Sequence, residues 1–85
     1  MKVSIKYLVS VRDKTGKREE ELDFPDGAML KNVSTWLWDS YGLKLPDPAL
    51  MSTLNGRGWK QYPEKMSTRL HEGDRICIFS PISGG

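Results

Sequence analysis

With 85 residues, 38% of them apolar and 28% charged, the chain has room for one small core and no second domain. A net charge of +2 is too small to demand a nucleic acid or an anionic membrane as partner, and one cysteine with one histidine excludes an internal disulfide and a Cys/His metal cluster. No apolar run approaches the ~20 residues of a membrane span, and the start Met1-Lys2-Val3-Ser4 lacks a signal-peptide core, so a cytoplasmic location is expected.

Val3, Ile5, Tyr7, Val9 and Val11 alternate with Lys2, Ser4, Lys6, Leu8 and Ser10, which predicts a strand with its odd positions inward. Leu8 breaks the polar face, either as an isolated exposed leucine or as part of a docking patch. Asp13-Lys14-Thr15-Gly16-Lys17 reads as a hairpin turn with Gly16 at positive φ, and Arg18 to Phe24 as a second strand with Leu22 and Phe24 inward. Glu19, Glu20 and Glu21 read as solvated charges with nothing nearby to shift their pKa.

After Pro25-Asp26-Gly27-Ala28, a 3.6-residue period places Met29, Leu30, Val33, Trp36, Leu37 and Tyr41 on one helix face. Gly42 occupies the left-handed cap position, and Trp38 points away from the apolar face. Pro46 and Pro48 mark a surface connection. Leu50 to Leu54 is a third strand, Asn55-Gly56-Arg57-Gly58 a turn, and Trp59-Lys60-Gln61-Tyr62 a fourth strand. The glycines of that turn do not make a phosphate loop, since no Gly-Lys-Ser/Thr sequence and no helix pattern follow. Pro63 to Leu70 is a loop with at most one helical turn, and His71 reads as a surface-loop residue.

The last strand, Arg75-Ile76-Cys77-Ile78-Phe79, runs through Ser80-Pro81-Ile82-Ser83 into Gly84-Gly85. Glycine lacks a Cβ, so such a tail passes through a channel too narrow for any side chain, and proline keeps its root out of the ladder. The expected division is a folded domain over 1–80 and a thin tail over 81–85 that carries the Gly85 carboxylate. With Ile76 and Ile78 inward, Cys77 and Phe79 face outward. Phe79 and Leu8 are candidate docking residues with Ile82, the competing reading being that Phe79 closes the rim of the core. Cys77 has no cation near it in sequence and reads as a small packing residue rather than a redox thiol.

The order strand, strand, helix, strand, strand, strand gives an α+β domain with one helix across a mixed sheet of four or five strands. That is the β-grasp, or ubiquitin-like, fold. The end of the chain, Gly73-Asp74, an apolar strand, Pro81, Ile82, Ser83 and Gly84-Gly85, resembles the C-terminal block of the MoaD/ThiS sulfur-carrier family. Three further blocks resemble the family in the right order. They are the opening strand with Arg12-Asp13 and Gly16, the acidic strand ending in Pro25-Asp26-Gly27-Ala28, and Leu54-Asn55-Gly56. The Arg-Asp block favours MoaD over the shorter ThiS proteins. In two places the chain departs from the family. Met29 stands where the family has a capping Thr or Ser, which costs about 1 kcal/mol unless replaced. The region around Trp59 and Tyr62 is extended.

The resemblance implies that the chain supplies no catalytic group and binds no cofactor or metal. Gly85 is adenylated by an activating enzyme of the MoeB/ThiF type, which uses ATP and Mg²⁺. A persulfide then converts it to a thiocarboxylate. Pro81, Ile82, Ser83 and Gly84 thread the partner's active site. In the MoaD case the chain is the non-catalytic small subunit of molybdopterin synthase, and a MoaE-like large subunit holds the pterin precursor that takes the sulfur. Two alternatives stay open: conjugation of Gly85 to lysines as a protein modifier, or sulfur delivery to thiamine, cysteine or another product. A plain interaction module with an incidental diglycine is a third.

Overall fold

The computed structural model describes residues 1–81. Its elements are β1 (Lys2–Tyr7), α1 (Ser10–Thr15), β2 (Glu19–Asp23), α2 (Leu30–Tyr41), β3 (Met51–Leu54), β4 (Arg57–Gly58) and β5 (Asp74–Phe79), with single 3₁₀ turns at Trp59–Gln61 and Lys65–Ser67. They form a five-stranded sheet in the order β2-β1-β5-β3-β4, with β1 and β5 parallel at its centre. This is the β-grasp architecture, and the two strands richest in alternating apolar residues hold the middle.

The core is the inward face of β1 and β5 packed on α2. Val3, Ile5, Tyr7, Ile76 and Ile78 meet Leu30, Val33 and Leu37, all nearly or wholly without solvent contact. Trp36 and Tyr41 pack at its margin, whereas Trp38 is 58% exposed. Gly42 closes α2 in the left-handed conformation at φ 67, and its N–H returns to the carbonyls of Leu37 and Trp38. No described helix is long and apolar enough to cross a membrane.

Four expectations need correction. The first strand stops at Tyr7, and Val9 is 55% exposed rather than inward, because the chain turns at Leu8 into α1. Val11 is buried, but from that helix. Gly16, at φ 75, caps α1 and does not form a hairpin turn. The fourth strand is Arg57–Gly58, joined to β3 by the tight Asn55-Gly56 turn, while Trp59 to Gln61 coils into a 3₁₀ turn that buries Trp59. Finally, the missing cap at Met29 is replaced from two sides. Asn32 Oδ1 accepts the Met29 N–H at 2.7 Å, and the Thr68 carbonyl accepts the Leu30 N–H at 3.0 Å.

Candidate functional site

The central strand β5 delivers the end of the chain to one corner of the sheet. Its burial alternates, with Ile76 and Ile78 buried and Cys77 and Phe79 half-buried on the opposite face. The Leu8 N–H donates to the Ile78 carbonyl at 3.1 Å, which extends the β1–β5 ladder one step and sets Leu8 beside Phe79. On the other flank Met51 pairs with Phe79 and is 44% exposed. An apolar row of Leu8, Phe79 and Met51 therefore crosses three strands on the face turned away from α2. Phe79 belongs to this row and lies outside the main core cluster. Sequence periodicity pointed to Leu8 and Phe79 but missed Met51, whose register depends on a pairing 28 residues away in the chain.

At the same corner the hydroxyls of Ser80 and Ser10 are hydrogen-bonded at 2.5 Å, tying the root of the tail to the start of α1. Pro81 follows and is exposed. Ile82, Ser83, Gly84 and Gly85 lie outside the described residues.

One step further along the sheet, Cys77 lies between Lys6 on β1 and Thr53 on β3. A cation is thus near the thiol after all, brought by strand pairing and not by sequence. Burial raises the Cys77 pKa, the Lys6 charge lowers it, and burial prevails. The thiol stays protonated at neutral pH and is a poor nucleophile.

Glu20 departs most from the sequence reading. It shares the inward parity of Leu22 on β2, and its Oε2 accepts hydrogen bonds at 2.6 Å from both Tyr7 and Tyr41. Lys17 Nζ approaches Oε1 at 3.3 Å, and the Glu20 side chain keeps 12% of its surface. Burial pushes the carboxyl pKa up, but the hydrogen bonds from Tyr41, Tyr7 and Lys17 outweigh it, and the net shift is down. Both phenols move the other way, each by burial first and by the Glu20 carboxylate second. Through Tyr7 of the central strand β1, the group pins the edge strand β2 to the end of α2 and is a structural clasp.

Asn55 makes a second clasp next to β5. It takes φ 52 in the turn before Gly56, a conformation asparagine tolerates. Its Nδ2 donates to Asp74 Oδ1 at 3.0 Å, and its Oδ1 accepts the Arg75 N–H at 2.9 Å. Asp74 Oδ2 in turn accepts the His71 N–H at 2.7 Å. The Leu-Asn-Gly block therefore holds the entry to the last strand. The His71 side chain is 80% exposed.

Among the described residues no group of three His, Cys, Asp or Glu could hold a metal ion. What the described fold offers is a rigid central strand, an apolar row beside its end, and a tail root anchored by Ser10.

The sequence pattern of the ThiS family matches residues 5–85. The chain belongs to the ThiS family. Its fold is that of several solved structures. A putative molybdopterin converting factor, subunit 1, from Pyrococcus furiosus superposes with a TM-score of 0.79 at 23% identity, over 96% of this chain and 99% of that one. The small archaeal modifier protein 1 of Methanosarcina acetivorans gives 0.76 at 24% identity, over 99% and 96%. The complex of subunits 1 and 2 of the Helicobacter pylori molybdopterin-converting factor gives 0.69 at 22% identity, with full coverage of both chains. Among curated proteins none matches the chain. These superpositions establish that the ThiS-family chain shares their β-grasp fold.

Proposed function

We propose that this ThiS-family domain carries sulfur on Gly85 for molybdopterin synthesis. The observation that carries the reading is the anchored exit of the central strand β5 beside the apolar row of Leu8, Phe79 and Met51, with Pro81 and the diglycine following in sequence.

A carboxylate is a poor electrophile because its charge is delocalised and it has no good leaving group. In the proposed cycle an activating enzyme of the MoeB/ThiF type binds ATP and Mg²⁺. The Gly85 carboxylate attacks the α-phosphorus and pyrophosphate leaves. The terminal sulfur of a persulfide attacks the acyl carbon of the resulting anhydride, and AMP leaves. A thiol then cleaves the acyl disulfide, releasing a mixed disulfide and the thiocarboxylate. A MoaE-like large subunit receives the tail, with Pro81, Ile82, Ser83 and Gly84 threading its active site, and passes the sulfur to a pterin precursor. Leu8 and Phe79, together with Met51, form the docking face. The domain contributes recognition and a delivered carboxyl group, and the partners contribute the chemistry.

The test is to incubate the chain with its activating enzyme, ATP and sulfide, and to read the intact mass. Replacement of one oxygen by one sulfur is expected. An unchanged mass with an enzyme that forms the adenylate would contradict the carrier reading. Lysine-linked conjugates of Gly85 in the cell would instead favour a protein modifier, an activity that uses the same activation step.

A further inference from the structure

The turn that joins β1 to α1 contains a residue that neither turn geometry nor core packing explains. Val11 N–H donates to the Leu8 carbonyl at 3.2 Å, closing a four-residue turn with Val9 in its second position. Val9 has φ 54 and ψ −124, the values of the first central residue of a type II′ turn, where glycine dominates. Three non-glycine residues among those described have positive φ, namely Val9, Asn55 and Lys65, and Val9 alone is β-branched. A β-branched residue there is a true outlier, because its Cβ substituents collide with the backbone. Burial does not compensate, since Val9 is 55% exposed. The isopropyl group is therefore held in a strained turn and turned to solvent.

Its position gives it a use. Val9 lies between Leu8, which flanks Phe79, and Ser10, whose hydroxyl holds Ser80 at the root of the tail. Gly85 stands four positions beyond Pro81 in sequence, a stretch that spans at most about 14 Å even when fully extended. A protein whose active site encloses the Gly85 carbonyl must come down onto the surface around that root. We infer that Val9 is a strained contact residue for the adenylating enzyme, extending the apolar row of Leu8, Phe79 and Met51 around the base of the tail. This rests on the carrier reading, in which such an enzyme acts on Gly85. The domain gives up stability in a turn that glycine would relax, and the exposed methyl groups are covered only in the complex.

Two variants separate strain from contact. Val9→Gly removes both; Val9→Ala keeps a Cβ in the same turn and removes two methyl groups. The measurements are thermal unfolding of each free domain and its equilibrium affinity for the purified ubiquitin-activating-type enzyme of the same organism. Val9→Gly is expected to raise Tm by roughly 4 °C or more. Both variants are expected to bind the enzyme about tenfold more weakly, the loss from one uncovered valine side chain. A Val9→Gly Tm at or below that of the wild type overturns the inference, as does affinity of both variants within about twofold of wild type. In either case wild-type binding leaves the carrier reading intact. Failure of the wild-type chain itself to bind or be adenylated overturns the carrier reading and this inference with it.

Discussion

Replacing Glu20 by leucine should destabilise the fold far more than loss of a surface charge. The Glu20 carboxylate accepts two phenol hydrogen bonds at 2.6 Å, from Tyr7 and Tyr41. Tyr7 has no solvent exposure, so without that acceptor its hydroxyl can turn only to Tyr41 or remain unpaired. A buried donor left unpaired costs about 1–3 kcal/mol. Tyr41 is only partly buried and reaches water, so it adds at most about 0.5–1 kcal/mol. The exposed Lys17 pair adds nothing worth counting. The expected loss is about 2–3 kcal/mol, or roughly 10–20 °C in Tm for a domain of this size. Chemical denaturation with coincident fluorescence and circular dichroism transitions measures it. Glu20→Gln, which keeps an acceptor oxygen, should lose about half as much, and Tyr7→Phe should couple to it in a double-mutant cycle. A Glu20→Leu loss under about 0.5 kcal/mol, the range of ordinary surface substitutions, would refute the clasp.

The same carboxylate sets an acid limb to stability. Its folded-state pKa is depressed, so its contribution is complete above the unfolded value of about 4.3 and is lost as pH falls through the folded value. Glu20→Gln should flatten that part of a stability profile below about pH 4.3 and leave neutral pH with a constant offset. On the alkaline side Tyr7 and Tyr41 are raised, so their contribution holds below about pH 10 and falls above it; spectrophotometric titration of the wild type against Tyr7→Phe and Tyr41→Phe should show both phenols ionising above the ordinary tyrosine range. At the entry to β5, Asn55→Gly keeps the positive φ and loses both side-chain hydrogen bonds, whereas Asn55→Ala loses all three. Asn55→Ala should therefore be the less stable by about 1 kcal/mol in urea, and equal stability would show that the backbone conformation there is unstrained.

Local pattern carried most of the fold. The alternation of Val3, Ile5, Tyr7 and of Ile76, Ile78 marked the two central strands, and the spacing of Leu30, Val33 and Leu37 marked the helix they pack on. The pattern misled where an apolar residue served a turn. Val9 and Val11 continue the period of two, yet a backbone reversal at Leu8 sends one to solvent and the other into the core from α1. Trp59 looked like a strand residue but is buried by a 3₁₀ turn. Glu20 was legible in principle, since it has the inward parity of Leu22, but its phenol partners stand 13 and 21 residues away. Met51 and Lys6 were missed as neighbours of Phe79 and Cys77 for the same reason, because register across strands is a property of the assembled sheet. The replacement of the Met29 cap by Asn32 needed only a glance three residues ahead, whereas the Thr68 carbonyl could not have been foreseen.

The most direct test of the account is intact mass spectrometry of the full chain after incubation with its activating enzyme, ATP and sulfide, alongside a chain lacking Gly85. The carrier account predicts that the full chain exchanges one oxygen for one sulfur, that the shift maps to the peptide ending in Gly85, and that the shortened chain is unchanged. Formation of the adenylate without any sulfur uptake, or sulfur found on Cys77 instead, would contradict it.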